Sequence, residues 1–241
     1  MKNLCLASTS TIYGTSYLEY LIPELTVFLK GKKNILFIPY ARPGGISYEN
    51  YTSIVKKAFA PIKITVQGIH EFENPKTAIS QATSIFVGGG NTFELVHQLY
   101  KNDLITVLKT SIEKGTPYLG TSAGSNICGI NMKTTNDMPI VYPPSFDALG
   151  LIPFNINAHF ISADTSSTHM GETREIRIKE FHVFNKTPVL GLREGSWLAV
   201  CDEEIVLKGN SSAILFQKGK TAIEIKTDQD ISSIIHANFL Q

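Results

Sequence analysis

Two hydrophobic patterns alternate along the first half of the chain. Short unbroken apolar runs predict buried strands, and longer stretches with apolar residues every three or four positions predict amphipathic helices. Asn3 to Ala7 predicts a strand and Tyr17 to Leu29 a helix. Ile35 to Ile38 predicts a strand, Tyr48 to Phe59 a helix, Lys63 to Ile69 a strand and Pro75 to Ala82 a short helix. Ile85 to Val87 predicts a strand ending in Gly88-Gly89-Gly90, with helices following over Thr92 to Tyr100 and Leu104 to Lys114 and a strand at Tyr118-Leu119. Strand–helix alternation of this kind predicts an α/β fold, a parallel sheet flanked by helices on both faces.

The pattern then changes. Thr134 to Pro153 carries Pro139, Pro143, Pro144 and Pro153, which predicts an irregular loop. Long loops inside compact domains are often functional. Gly171 to Phe184 predicts a helix with Ile176, Phe181, Val183 and Phe184 as its apolar positions. Ser196 to Cys201, Glu204 to Lys208, Ala213 to Gln217 and Thr221 to Ile225 predict short strands. Asp202-Glu203, Gly209-Asn210 and Gly219-Lys220 between them read as tight turns, giving a C-terminal antiparallel β meander attached to the parallel sheet. No linker-like stretch divides the chain, so residues 1–241 are expected to form a single α/β domain.

Composition narrows the partners. The 22 Lys and Arg balance 21 Asp and Glu, which argues against nucleic acid or an anionic membrane as the main partner. Cys5, Cys128 and Cys201 are odd in number and contain no Cys-x-x-Cys, so a zinc knuckle or redox pair is not expected. Free thiols fit a reducing cytoplasm. The run Leu4 to Ala7 is too short for the apolar part of a signal peptide, and no run reaches the roughly 18 apolar residues that span a bilayer. A cytoplasmic protein, monomer or homodimer, is expected.

The segment Gly120-Thr121-Ser122-Ala123-Gly124 carries the most specific chemistry. Gly-x-Ser-x-Gly after a strand is a nucleophile elbow, in which the chain turns sharply at the serine and enters a helix. A serine hydroxyl is a weak nucleophile and needs a base, itself oriented by an acid. Of six histidines, His159 follows the apolar stretch of Asn155 to Ala158 as a residue at a strand's C-terminal end would, the edge where α/β sheets place their sites. Two carboxylates suit the third role. Asp137 lies between Ser122 and His159, and Glu194 follows the apolar run Val189-Leu190. An oxyanion hole needs converging backbone N–H groups. Ala123 supplies one, and Gly89 and Gly90 of the glycine triplet are a second source. The triplet has neither the Gly-x-Gly-x-x-Gly spacing nor the Gly-Lys-Ser/Thr of nucleotide loops. His169 and Glu172 are spaced i, i+3, but no third ligand accompanies them, so no metal and no cofactor are expected.

Several strings together resemble one family. They are Val87-Gly88-Gly89-Gly90-Asn91-Thr92-Phe93, the elbow, Thr134-Thr135-Asn136-Asp137-Met138-Pro139-Ile140, Phe146-Asp147-Ala148-Leu149, His159-Phe160, Gly171-Glu172-Thr173-Arg174-Glu175, and Gly191 to Trp197. They look like the α-aspartyl dipeptidase (peptidase E) family, in the group of serine peptidases that also contains cyanophycinase. The resemblance implies a flavodoxin-like fold related to class I glutamine amidotransferase domains, with Ser122 as nucleophile and His159 as base. It allows Glu194 or Asp137 as the acid, with Glu194 favoured by its strand-end position. It implies a small peptide substrate, an Asp-X dipeptide hydrolysed through an acyl-enzyme. Arg174 then suits the aspartyl carboxylate and Glu172 the ammonium group. Arg193 departs from the family pattern, which has proline before the glutamate, and is expected to add charge beside the acid. A cyanophycinase-like specificity and a catalytically silent amidotransferase-like binding module are the competing expectations.

Overall fold

The computed structural model describes residues 1–163 and 171–236. Strands β1 (Asn3–Ala7), β2 (Asn34–Ile38), β3 (Thr65–Gly68), β4 (Ile85–Val87) and β5 (Tyr118–Thr121) run parallel in the order β3-β2-β4-β5-β1. β6 (Asn155–Ala158) and β7 (Val189–Leu192) pair in parallel and begin a second sheet. β8 (Ser196–Cys201) returns to the first sheet, antiparallel to β1, and β9 (Glu204–Gly209) adds antiparallel to β8. β10 (Ala213–Phe216) and β11 (Ile223–Ile225) complete the second sheet in the order β11-β10-β7-β6.

Helices α1 (Ile22–Phe28), α2 (Tyr48–Phe59), α3 (Pro75–Gln81), α4 (Thr92–Lys101) and α5 (Ile105–Glu113) connect the parallel strands. α6 (Ala123–Asn126) follows β5, α7 (Arg174–Phe184) precedes β7, and α8 (Ser232–His236) follows β11. Ser47, Asn74, Asn91 and Thr173 each start a helix by accepting a hydrogen bond from the backbone three residues on.

The apolar runs are unbroken because both faces of the parallel sheet are covered. Leu4, Leu6, Leu36, Ile38, Ile85, Val87 and Tyr118 face one core, while Cys5, Ala7, Ile35, Phe37, Phe86 and Leu119 face the other. The first of these cores continues through Ile156, Leu190, Leu192 and Leu215 of the second sheet, so the two sheets share one apolar interior.

Four expectations are corrected. The helix expected from Tyr17 begins later: Leu18 has φ 59°, Glu19–Leu21 is a single 3₁₀ turn, and the α-helix starts at Ile22, beside Pro23. Proline lacks an N–H and is at home in a helix's first turn, so it marks a start. The strand expected over 63–69 is trimmed to β3, since Lys63 has φ 58° and Ile69 begins another 3₁₀ turn. On α7, Ile178 and His182 are buried whereas Ile176, Val183 and Phe184 are exposed. The C-terminal strands are not one continuous meander: β9 ends on the first sheet and β10 begins on the second. Gly209-Asn210 crosses between them, with a Cβ at Gly209 falling 2.2 Å from Gly195 O and φ +104°, a close approach only glycine permits.

Candidate active site

The elbow forms where β5 ends. Ser122 has φ 52° and ψ −112°, between β5 and α6. A non-glycine residue at positive φ is held there by its surroundings, and such strain gathers at functional positions. Here the surroundings are two glycines. A Cβ on Gly120 would lie 2.6 Å from Gly124 O, and one on Gly124 would lie 2.2 Å from Val87 O. Ser122 N–H donates to Ala7 O at 3.0 Å, which ties the turn to β1.

His159 stands one residue beyond β6, also at positive φ (54°). Its Nε2 lies 2.9 Å from Ser122 Oγ and its Nδ1 lies 2.6 Å from Glu194 Oε1. A carboxylate can only accept, so Nδ1 carries the proton and Nε2 is left to accept from the serine hydroxyl. Glu194 sits two residues past β7, so three strand ends from two sheets converge on one line of hydrogen bonds.

Asp137 is placed elsewhere. Its Oδ2 accepts from Thr92 N (2.8 Å), Thr92 Oγ1 (2.6 Å) and Thr135 Oγ1 (2.8 Å). It thus anchors the loop to the first turn of α4, directly after the glycine triplet. Asn126 extends this network, donating through Nδ2 to Thr92 Oγ1 at 3.2 Å and accepting at Oδ1 from Ala158 N at 3.3 Å. Asp137 therefore connects to Ala158, the residue before His159, without touching the imidazole.

The glycine triplet borders the nucleophile: a Cβ on Gly89 would lie 3.0 Å from Ser122 Cβ. Gly89 and Gly90 N–H groups donate to no acceptor among the described residues. Gly89 C=O accepts from Tyr51 Oη at 3.2 Å and from Arg42 Nε at 3.4 Å. Because the trans peptide sets N–H opposite C=O, this holds Gly90 N–H pointing away from Tyr51. Ala123 N–H opens α6, where first-turn donors have no carbonyl four residues back.

A model of peptidase family S51 matches residues 4–208. The chain belongs to peptidase family S51. It is 45% identical over 233 residues to peptidase E of Streptomyces coelicolor, covering 97% of this chain and 95% of that protein. It is 40% identical over 237 residues to a Drosophila melanogaster protein described as "Probable alpha-aspartyl dipeptidase", covering 97% of this chain and 98% of that protein. Among solved structures, a peptidase from an acI-B1 Actinobacterium shares the fold at a TM-score of 0.68 with 15% identity, over 96% of each chain.

The remaining expected positions of this S51 peptidase divide. Arg174 is half-buried, with Nη1 3.4 Å from Ala158 O, next to His159. Burial pulls its pKa down while the nearby Glu194 charge opposes that. Glu172 is exposed and faces Arg177 at 3.8 Å. Arg193, beside Glu194 in sequence, turns the other way: it bonds Glu224 Oε1 at 2.7 Å, Ser212 Oγ at 2.6 Å and Ser162 Oγ at 2.9 Å. Its charge is neutralised there, and it pins the end of β7 to β10 and β11. His169 lies outside the described residues. Among the described residues no group of three His, Cys, Asp or Glu side chains gathers as a metal site, and no helix is long and apolar enough to cross a membrane.

Sequence reasoning missed Ser8. Its Oγ donates to Leu192 O at 2.7 Å and accepts from His159 N at 2.9 Å, joining β1, β6 and β7 at the site. The available signal was its place directly after an apolar strand. Tyr51 and Asn126 had no local signal, since each acts through a distant loop.

Proposed function

We propose that this S51 peptidase is a serine-type dipeptidase that hydrolyses Asp-X dipeptides through an acyl-enzyme. The observation that carries the reading is the hydrogen-bonded line from Ser122 through His159 to Glu194. The relatives described as peptidase E and alpha-aspartyl dipeptidase supply the substrate class.

Ser122 Oγ attacks the scissile carbonyl carbon as its proton passes to His159 Nε2. Glu194 holds the imidazole in the required tautomer and stabilises the imidazolium. The oxyanion accepts from the N–H groups of Ala123, Gly89 and Gly90. His159 then protonates the departing amine, leaving aspartate esterified to Ser122. Water then attacks the ester carbonyl as it gives a proton to His159, and His159 returns that proton to Ser122 Oγ as the C–O bond breaks and aspartate leaves. In this reading Asp137 is a positioning residue, since its three donors fix the loop that carries Asn91 and, through Asn126, the approach to His159. Arg174 takes the aspartyl carboxylate, and its half-buried place beside Ala158 supports that role. Glu172 is exposed and its pair with Arg177, at 3.8 Å, is screened by solvent, so its carboxylate stays able to take the ammonium group.

The shared apolar interior supports one peptidase domain over residues 1–241. The order β3-β2-β4-β5 supports the flavodoxin-like reading, whose strand order begins 2-1-3-4. β1 then takes the position of that fold's fifth strand. The unpaired cysteines support a reducing compartment, the cytoplasm.

The test is hydrolysis of Asp-Leu against a panel of other dipeptides and cyanophycin. Wild-type protein is expected to cleave Asp-Leu selectively, and Ser122→Ala is expected to lose that activity while keeping its melting temperature. Full Asp-Leu hydrolysis by Ser122→Ala refutes the serine mechanism.

A further inference from the structure

The chain has four arginines: Arg42, Arg174, Arg177 and Arg193. Arg177 faces Glu172 and Arg193 is bound to Glu224. Arg42 and Arg174 have no carboxylate partner among the described residues, and each is half-buried against a backbone carbonyl of the site. A dipeptide with N-terminal aspartate carries two carboxylates, one on its side chain and one at its C-terminus. We infer that Arg42 is the second carboxylate anchor and binds the C-terminal carboxylate of the leaving amino acid. This rests on the Asp-X reading above, which already gives Arg174 to the aspartyl group.

Arg42 lies four residues past β2, on the same sheet edge as Ser122. Its position is enforced. The guanidinium carbon stacks 4.5 Å from the centre of the Tyr51 ring, and Nε reaches Gly89 O. A Cβ on Gly90 would lie 2.2 Å from Ala41 O and 2.9 Å from Arg42 Cγ, so the glycine loop and the arginine stem are packed together. Gly90 has φ +144°, which only glycine adopts without strain. Stacking on an aromatic face leaves the N–H groups at the outer edge of the guanidinium able to donate to a carboxylate.

The distances suit a dipeptide. β4 alone separates β2 from β5, so the two strand ends are about 10 Å apart. An arginine side chain spans roughly 6–7 Å, and the C-terminal carboxylate of a dipeptide lies roughly 4 Å beyond its scissile carbonyl carbon. Together they close the gap. A longer peptide would put an uncharged peptide bond where Arg42 waits and would leave the cation without its anion. The subsite therefore selects for substrates that end one residue after the scissile bond.

Amidation of the substrate tests this directly. The probes are Asp-Leu and Asp-Leu-amide, assayed for kcat/KM with wild-type protein, Arg42→Gln and Arg42→Lys. Wild type is expected to favour the free acid by roughly 10- to 100-fold, the range of a charge-assisted hydrogen bond. Arg42→Gln is expected to abolish that margin, so that it cleaves free acid and amide alike whatever loss both share through Gly89, with the margin of Arg42→Lys in between. Turnover of the amide also serves as the check that the variant is folded. A wild type indifferent to amidation overturns the inference with no variant needed. Equal losses on both substrates also overturn it, since Arg42 then acts through Gly89 on the oxyanion loop. Failure of the underlying reading looks different: wild type would cleave Ala-Leu as well as Asp-Leu, whatever its C-terminus.

Discussion

Glu194→Gln separates the two candidate acids. The substitution keeps the shape of the side chain at the His159 Nδ1 contact and removes its charge. In the proposed mechanism the proton of Ser122 passes to His159 during attack, so an imidazolium forms with Oε1 2.6 Å from its Nδ1. The two charge centres are then roughly 4 Å apart, where opposite unit charges attract by about 1 kcal/mol in bulk water and about 4 kcal/mol at an effective dielectric of 20. The side chains are 36% and 53% exposed, so solvent screens the pair and a value near the middle, about 2 kcal/mol, applies. That corresponds to a fall in kcat of roughly 30-fold. KM should move less, because the proposed charge pair arises only as Ser122 attacks and not when substrate binds. Asp137→Asn leaves the imidazole contact untouched and disturbs a loop anchor instead, so its kcat should fall less and its melting temperature more. Steady-state release of leucine from Asp-Leu reads the first quantity and a thermal scan the second. If Glu194→Gln stays within twofold of wild type while Asp137→Asn loses about 30-fold or more in kcat, the assignment of the acid is wrong.

Three further outcomes follow from contacts already described. Arg174→Met should erase the preference for Asp-X over Ala-X dipeptides, a loss of roughly 10- to 100-fold in kcat/KM ratio; an unchanged ratio sinks its role at the aspartyl group. Gly124→Ala forces a Cβ to 2.2 Å from Val87 O, which should cost about 1–3 kcal/mol and lower the melting temperature by roughly 3–10 °C; an unaltered thermal scan would contradict the packing of the elbow. Burial raises the pKa of Glu224, but hydrogen bonds from Arg193 and Ser212 outweigh it and hold the carboxyl below its ordinary value. A carboxyl lowered on folding stabilises at neutral pH, and the benefit fades as pH falls through and below about 4.3. Arg193→Ala should therefore cost under about 1 kcal/mol at pH 7 and less at pH 3. A penalty that grows on acidification would show the sign to be wrong.

The elbow was legible because its demands are local. Gly120 and Gly124 are needed within four residues of chain, and the reason appears in the contacts a Cβ would make. His159 and Glu194 could be placed because residues just past apolar strands fall on one sheet edge. Choosing between Glu194 and Asp137 was another matter. That choice depends on β6 and β7 being neighbours, and pairing across sequence leaves no mark on either strand. The face of α7 was misjudged for a similar reason. Its charges are spread around the helix, and its inner side is set by Phe160, Val189 and Phe216, which lie on other elements. His182 is buried there because Thr187 O, 3.0 Å away, satisfies its Nε2. Arg193 looked like a charge beside the acid because adjacency in sequence was the only guide. Alternate residues at a strand end point to opposite sides, and its partner Glu224 belongs to the last strand.

β1 has a consequence for how the protein comes into being. It pairs with β5 on one side and β8 on the other, with Asn3 opposite Cys201, and Ser8 just beyond it holds both His159 N and Leu192 O. A ribosome adding 5–20 residues per second makes β1 roughly 10–40 s before β8. Throughout that interval the strand lacks one neighbour. The line from Ser122 to Glu194 can therefore be completed and backed by β8 only late in synthesis.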